Sequence, residues 1–202
     1  MFNLIVGVIQ KSGVVGVGLL MLLENVIPII PSELIMPMAG YEAAKGAFSP
    51  MAAILAGTVG SIVGGTVWYG IGRQLGLERL KRWADGGGRW ITLSPDEVTR
   101  GHAWFQRWGP AAVCIGRALP GVRGVICIPA GIARMPFWPF LLWSSLGALI
   151  WTTLLVLAGY GLNAEYRLVE HWLNPVTDGF VALCLIVYAV RVARYRSRRS
   201  IE

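Results

Sequence analysis

A chain of 202 residues that is 55% hydrophobic and only 14% charged is too apolar for an ordinary soluble domain and is expected to form one integral membrane domain. Its net charge of +7 would suit nucleic acid, but 12 of its 18 Lys/Arg fall in two blocks, seven from Arg73 to Arg107 and five from Arg191 to Arg199. Both blocks flank apolar spans, as the positive-inside rule requires of cytoplasmic segments, so nucleic acid is set aside as a partner and membrane lipids take its place.

In chain order, residues 1–11 are assigned to the interface, with no cleaved signal expected, because Lys11 follows the apolar run instead of preceding it. Residues 12–46 carry two carboxylates, Glu24 and Glu33, and the prolines Pro28, Pro31 and Pro37 within an otherwise apolar run. Charge at membrane depth is costly and faces a cavity or a partner. Proline removes a helix donor and clashes one turn back. Broken backbone at that depth survives only against protein or water. A re-entrant hairpin satisfies all three conditions.

Ser49 and Pro50 then suit the cap and first turn of a transmembrane helix over 50–72, uncharged from Met51 to Gly72. Its Gly57-Ser61-Gly65 spacing permits close helix contact. Residues 73–107 read as a cytoplasmic basic loop with an amphipathic helix; Gly86-Gly87-Gly88 is expected to break it, and Ser94 to cap the helix that follows. Residues 108–134 repeat the opening pattern with cations, placing Arg117 and Arg123 around Pro120 and Gly121. Transmembrane helices over 136–160 and 172–190 and a basic cytoplasmic tail over 191–202 complete the chain.

An offset of 89 residues places Phe48-Ser49-Pro50 on Phe137-Trp138-Pro139 and Pro31 on Pro120. With both basic blocks inside, the two halves face opposite ways. The expected fold is therefore an all-α integral membrane protein: an inverted repeat of re-entrant helical hairpin plus transmembrane helix, with an additional C-terminal transmembrane helix.

The chemistry is expected where the breaks meet. Arginine stays charged and offers a planar fork suited to phosphate, so Arg117 and Arg123 are candidates for a phosphorylated head group. Glu24 and Glu33 are candidates for proton exchange. Ser32 either donates to the head group or caps the helix that Glu33 begins. Pro28, Pro31, Pro120 and Gly121 shape the breaks. The plain alternative is that the four charges only tether the hairpins. A proton-coupled cation exporter is a further rival. A lipid phosphatase would want a nucleophile and a histidine acid/base, and His102 and His171 lie outside the hairpins. Cys114, Cys127 and Cys184 have no metal or disulfide spacing, so no cofactor is expected.

Glu24-Asn25 followed by Pro28-x-x-Pro31-Ser32-Glu33, with Gly116-Arg117-x-x-Pro120-x-x-Arg123 and Pro129-Ala130-Gly131, resembles the DedA family of bacterial membrane proteins, relatives of eukaryotic lipid scramblases. The resemblance spans roughly residues 12–190. It implies a lipid transporter of the bacterial inner membrane, multi-pass, with a cytoplasmic C-terminus and no enzymatic activity. Undecaprenyl phosphate recycling is the implied role, with protons as the coupling ion, Glu24 and Glu33 as the membrane acids and Arg117 and Arg123 as the essential arginines. Many members carry Pro-Gly-Asp where this chain has Pro31-Ser32-Glu33, and the Pro-Ser-Glu form resembles the undecaprenyl phosphate subgroup. A phospholipid such as phosphatidylethanolamine stays open as the substrate, and so does homodimerisation.

Overall fold

The computed structural model describes residues 2–27, 32–91, 95–119, 123–124 and 126–161. Among them there are six helices and no strand: α1 (Phe2–Val26), α2 (Ser32–Ala44), α3 (Pro50–Ile91), α4 (Pro95–Arg117), α5 (Cys127–Ile132) and α6 (Phe137–Gly161). Three stretches, Ile5–Val26, Pro50–Gly76 and Phe137–Gly161, are long and apolar enough to cross a membrane. The chain is thus an all-α, multi-pass membrane protein. Pro28, Pro31, Pro120 and Gly121 lie outside the described residues, as does the span expected over 172–190 with its basic tail.

The long helices are inverted relative to a soluble fold. Along α3, Met51, Leu55, Val59, Val63, Val67 and Ile71 form an exposed stripe at fourth-residue spacing. Its inward face holds Ala53, Thr58, Ser61 and Tyr69 together with buried glycines. Lipid solvates the large side chains, and small ones let backbones approach. At its start, Ser49 Oγ accepts from the Ala52 N–H at 3.1 Å, just ahead of Pro50.

Helix directions follow from the contacts. Gln10 near the start of α1 donates to Glu42 near the end of α2 at 3.1 Å, so these two helices run antiparallel. The hydroxyls of Thr58 and Thr152 meet at 2.8 Å, and Tyr69 stacks on Phe140 with ring centroids 4.2 Å apart, so α3 and α6 are antiparallel too. Each long helix receives the short helix of the other half: α2 lies on α6, and α5 lies on α3. Glycines make both contacts. A Cβ on Gly159 would lie 2.0 Å from the Pro37 carbonyl oxygen, and one on Gly72 would lie 2.3 Å from that of Ile128.

Three helices are broken at glycines. In α1 the break is Gly13, with φ 56° and ψ −136°. In α4 it is Gly109, with φ 51° and ψ −135°. These are nearly the same conformation, in a region that side-chain-bearing residues avoid. In α3 the break falls at Gly76, not at the glycine triplet, whose backbone is helical within α3. Glycine penalises a helix by only about 1 kcal/mol per residue, and no proline in the triplet forbids the turn. The helix expected after Ser94 thus runs from Pro95 to the break at Gly109, and a second helical segment carries on to Arg117.

Candidate functional site

The end of α1, the middle of α3, the end of α4 and the turn before α5 converge on a buried polar cluster. Arg117, the last residue of α4, is 1% exposed. Gly65 makes room for it, since a Cβ there would lie 3.0 Å from both terminal guanidinium nitrogens. Its Nη1 donates to Asn25 Oδ1 at 2.9 Å and to the Arg123 carbonyl at 3.3 Å. Its Nη2 donates to the Ser61 carbonyl at 2.8 Å and to Ser61 Oγ at 3.2 Å. All of these acceptors are uncharged. Its Nε is buried without a partner among the described residues.

Arg123 follows a different pattern. Its Nη2 is ion-paired with Glu24 Oε1, and both side chains are buried. Its Nη1 is buried without a partner among the described residues. A buried donor left unmade costs about 1–3 kcal/mol, more for a charged group. Two guanidiniums here each carry one.

Asn25 joins the two systems. Its Nδ2 donates to Glu24 Oε2 at 3.1 Å, to Ser61 Oγ at 3.0 Å and to the Met21 carbonyl at 3.3 Å. The Asn25 carbonyl, in the last turn of α1 where helical acceptors run out, takes the Trp68 indole N–H at 2.8 Å.

The predicted acids and arginines therefore separate. Glu24 meets Arg123, whereas Arg117 makes no ion pair among the described residues. Glu33 is half-buried in the first turn of α2, where an anion suits the helix dipole. Ser32 is fully buried, and its Oγ accepts from Trp151 Nε1 of α6 at 3.3 Å. Three polar residues escaped assignment from the sequence. Asn25 was visible as an amide beside Glu24. Ser61 read only as a small packing residue. Glu42 is buried at the far end of α2, held by Gln10 and, at 3.9 Å, Lys45. Among the described residues no His, Cys, Asp and Glu cluster could hold a metal ion.

The cluster gathers two buried guanidiniums, one carboxylate and two unpartnered N–H donors among the described residues. Residues 30–161 match the VTT domain model. The chain is 33% identical over 201 residues to undecaprenyl phosphate transporter A of Staphylococcus aureus, covering 98% of this chain and 99% of that one. The Bacillus subtilis protein of the same name is 32% identical over 182 residues, covering 90% and 88%. A Lactococcus lactis protein named alkaline phosphatase-like is 32% identical over 200 residues, covering 98% and 94%. No solved structure matches the chain.

Proposed function

The chain belongs to the VTT-domain family, the DedA proteins, and from that premise we propose that it transports an anionic lipid phosphate, undecaprenyl phosphate above all, across the bacterial inner membrane. The observation that carries this reading is the pair of buried guanidiniums with unpartnered N–H groups, Arg117 Nε and Arg123 Nη1. A phosphate offers several acceptor oxygens to such donors, and arginine reads it through paired hydrogen bonds. The relatives named undecaprenyl phosphate transporter A support the lipid class.

In the mechanism, the head group docks between Arg117 and Arg123 while the isoprenyl tail stays in lipid beside the exposed apolar stripe of α3. Glu24 occupies Arg123 when no lipid is bound. The arriving phosphate competes for Arg123, and a proton on Glu24 frees that guanidinium. Loss of the proton restores the ion pair and expels the head group. Ser32 and Glu33, at the head of α2, serve the second stage, Glu33 as the more exposed proton acceptor. The breaks of the two hairpins are the hinges of alternating access. The exchanged packing of α2 on α6 and α5 on α3, and the matching breaks at Gly13 and Gly109, support an inverted repeat of re-entrant hairpins, with the C-terminus cytoplasmic.

The chain acts as a transporter and not as an enzyme. The name of the Lactococcus relative suggests a phosphatase, but the two histidines of the sequence lie outside both hairpin segments, and among the described residues the cluster holds no acid/base pair built around a nucleophile. The test is binding of undecaprenyl phosphate, phosphatidylethanolamine and a neutral isoprenol to purified protein in detergent. Wild type is expected to prefer the isoprenyl phosphate. Arg117→Ala and Arg123→Ala are each expected to weaken that binding by about 10- to 100-fold, the scale of a charged hydrogen bond. Equal binding of all three lipids would remove the phosphate site.

A further inference from the structure

We infer that Asn25 sets the charge of the site: it holds Arg117 with an amide where a carboxylate would fit, and so leaves the buried cluster one positive charge for an anionic head group to neutralise. The inference rests on the anion-site reading above and assigns its selectivity to a residue outside the four membrane charges.

Among the described residues, the charge count comes from three buried side chains, Glu24, Arg117 and Arg123. Two guanidiniums stand against one carboxylate, and that carboxylate is ion-paired with Arg123. Arg117 is held instead by the Asn25 amide oxygen, the Ser61 hydroxyl and two backbone carbonyls. Neutral dipoles fix its geometry without cancelling its charge. Glu33, half-buried at the first turn of α2, forms no ion pair with Arg117. Glu42 is buried but belongs to Gln10 and Lys45 at the other end of α2.

Uncompensated charge and unpartnered donors thus coincide in one cluster, since Arg117 Nε and Arg123 Nη1 are both buried without a partner among the described residues. A lipid phosphate supplies the missing charge and the missing acceptors together. The amide suits this role because its two ends are committed in opposite senses. Oδ1 faces Arg117 at 2.9 Å, and Nδ2 faces Glu24 Oε2 at 3.1 Å. Asparagine therefore satisfies a cation and an anion at once, while adding no charge. Aspartate has the same shape and would still accept from Arg117, but it would convert the cluster from one excess positive charge to none.

The test compares wild type, Asn25→Asp and the double variant Asn25→Asp/Glu24→Gln. Each is the full chain, purified in detergent and assayed at one common pH. The probes are a polyprenyl monophosphate and the matching neutral alcohol. Asn25→Asp also turns the Nδ2 donor into an oxygen that faces Glu24 Oε2 and the Met21 carbonyl, so its thermal midpoint is expected to fall; among the folded protein, phosphate binding is expected to fall by about 10- to 100-fold and the preference over the alcohol to collapse. The double variant moves the single carboxylate from Arg123 to Arg117 and restores the original charge. It is expected to bind within about threefold of wild type, a recovery of at least about 3- to 30-fold, or about 0.7–2 kcal/mol at tenfold per 1.4 kcal/mol. A purely structural role for Asn25 predicts instead that phosphate and neutral-alcohol binding fall together in Asn25→Asp and recover together in the double variant. Wild-type affinity in Asn25→Asp, or a double variant as weak as the single one, overturns the inference and leaves the anion site standing. If Asn25→Asp does not fold, Ser61→Asp puts a carboxylate on the other face of Arg117 and carries the same expected loss. Failure of wild type itself to prefer the phosphate overturns the anion site and this inference together.

Discussion

Each arginine is held by a different kind of partner, and their variants should separate accordingly. Arg123→Ala strands the buried Glu24 carboxylate and Glu24→Ala strands the Arg123 guanidinium. Removing one partner of a buried pair costs about 3–5 kcal/mol, more than removing both. Unfolding followed in detergent should therefore show Glu24→Ala/Arg123→Ala nearer to wild type than the sum of the two single variants. Strict additivity would mean the pair does not couple. Exchanging the charges, Glu24→Arg with Arg123→Glu, can restore stability but not phosphate binding; restored binding would favour the tethering role. Glu24, Arg117 and Arg123 were legible in the sequence because charge stands out against an apolar run. Asn25 and Ser61 were not. A neutral amide and a hydroxyl cost little at that depth, and their meeting with Arg117 depends on how α1, α3 and α4 are rotated, which no local pattern records. The Ser61 spacing that read as close packing serves it as well, since Gly65, one turn on, leaves room for the guanidinium.

Glycine makes the elements fit, in two separable ways. Gly13 and Gly109 take positive φ in open surroundings, with nothing within 4 Å of an added Cβ. Gly13→Ala and Gly109→Ala should thus act through backbone strain alone, lowering stability by about 1–3 kcal/mol. Gly159 is helical but crowded, with an added Cβ 2.0 Å from the Pro37 carbonyl oxygen. Gly159→Ala must push α2 off α6, at about 1–3 kcal/mol for an overpacked contact. Gly70, in α3 with nothing within 4 Å of its Cβ position, is the control: Gly70→Ala should be neutral or stabilise by up to about 1 kcal/mol through helix propensity. Thermal midpoints order the three kinds of site, and a Gly159→Ala protein as stable as Gly70→Ala would contradict the packing described. Of these positions only Gly109 had a local signal, because Pro110 disfavours a helical residue before it. With 26 glycines in the chain, composition alone does not mark which ones bend a helix and which ones seat a neighbour.

For the whole molecule, the apolar composition and the basic blocks made the membrane class plain from the sequence, and the recurring aromatic-x-Pro motif is what the expected repeat rests on. Which short helix packs on which long one was not legible, because the exchange of α2 onto α6 and α5 onto α3 joins segments more than a hundred residues apart in one case and more than fifty in the other. That exchange leaves the ends of α2 and α5 at opposite ends of the Pro50–Gly76 stretch of α3. Lys45 follows α2 near the start of that stretch, whereas Arg134 lies beside Met135, whose carbonyl accepts from Tyr69 and Arg73 near its other end. Both residues are exposed. Lys45→Cys should therefore react with an impermeant thiol reagent from outside the cell and Arg134→Cys only after permeabilisation. Labelling of both from one side would rule out oppositely facing hairpins. The central claim, that Arg117 and Arg123 carry a lipid phosphate across the bilayer, is tested most directly by flux. Wild type and Arg117→Ala would be reconstituted in liposomes loaded with a fluorescent polyprenyl phosphate, with and without a pH gradient. Wild type is expected to translocate the lipid, faster with the gradient, and Arg117→Ala to show only background rates. Equal flux by the two proteins would contradict that claim.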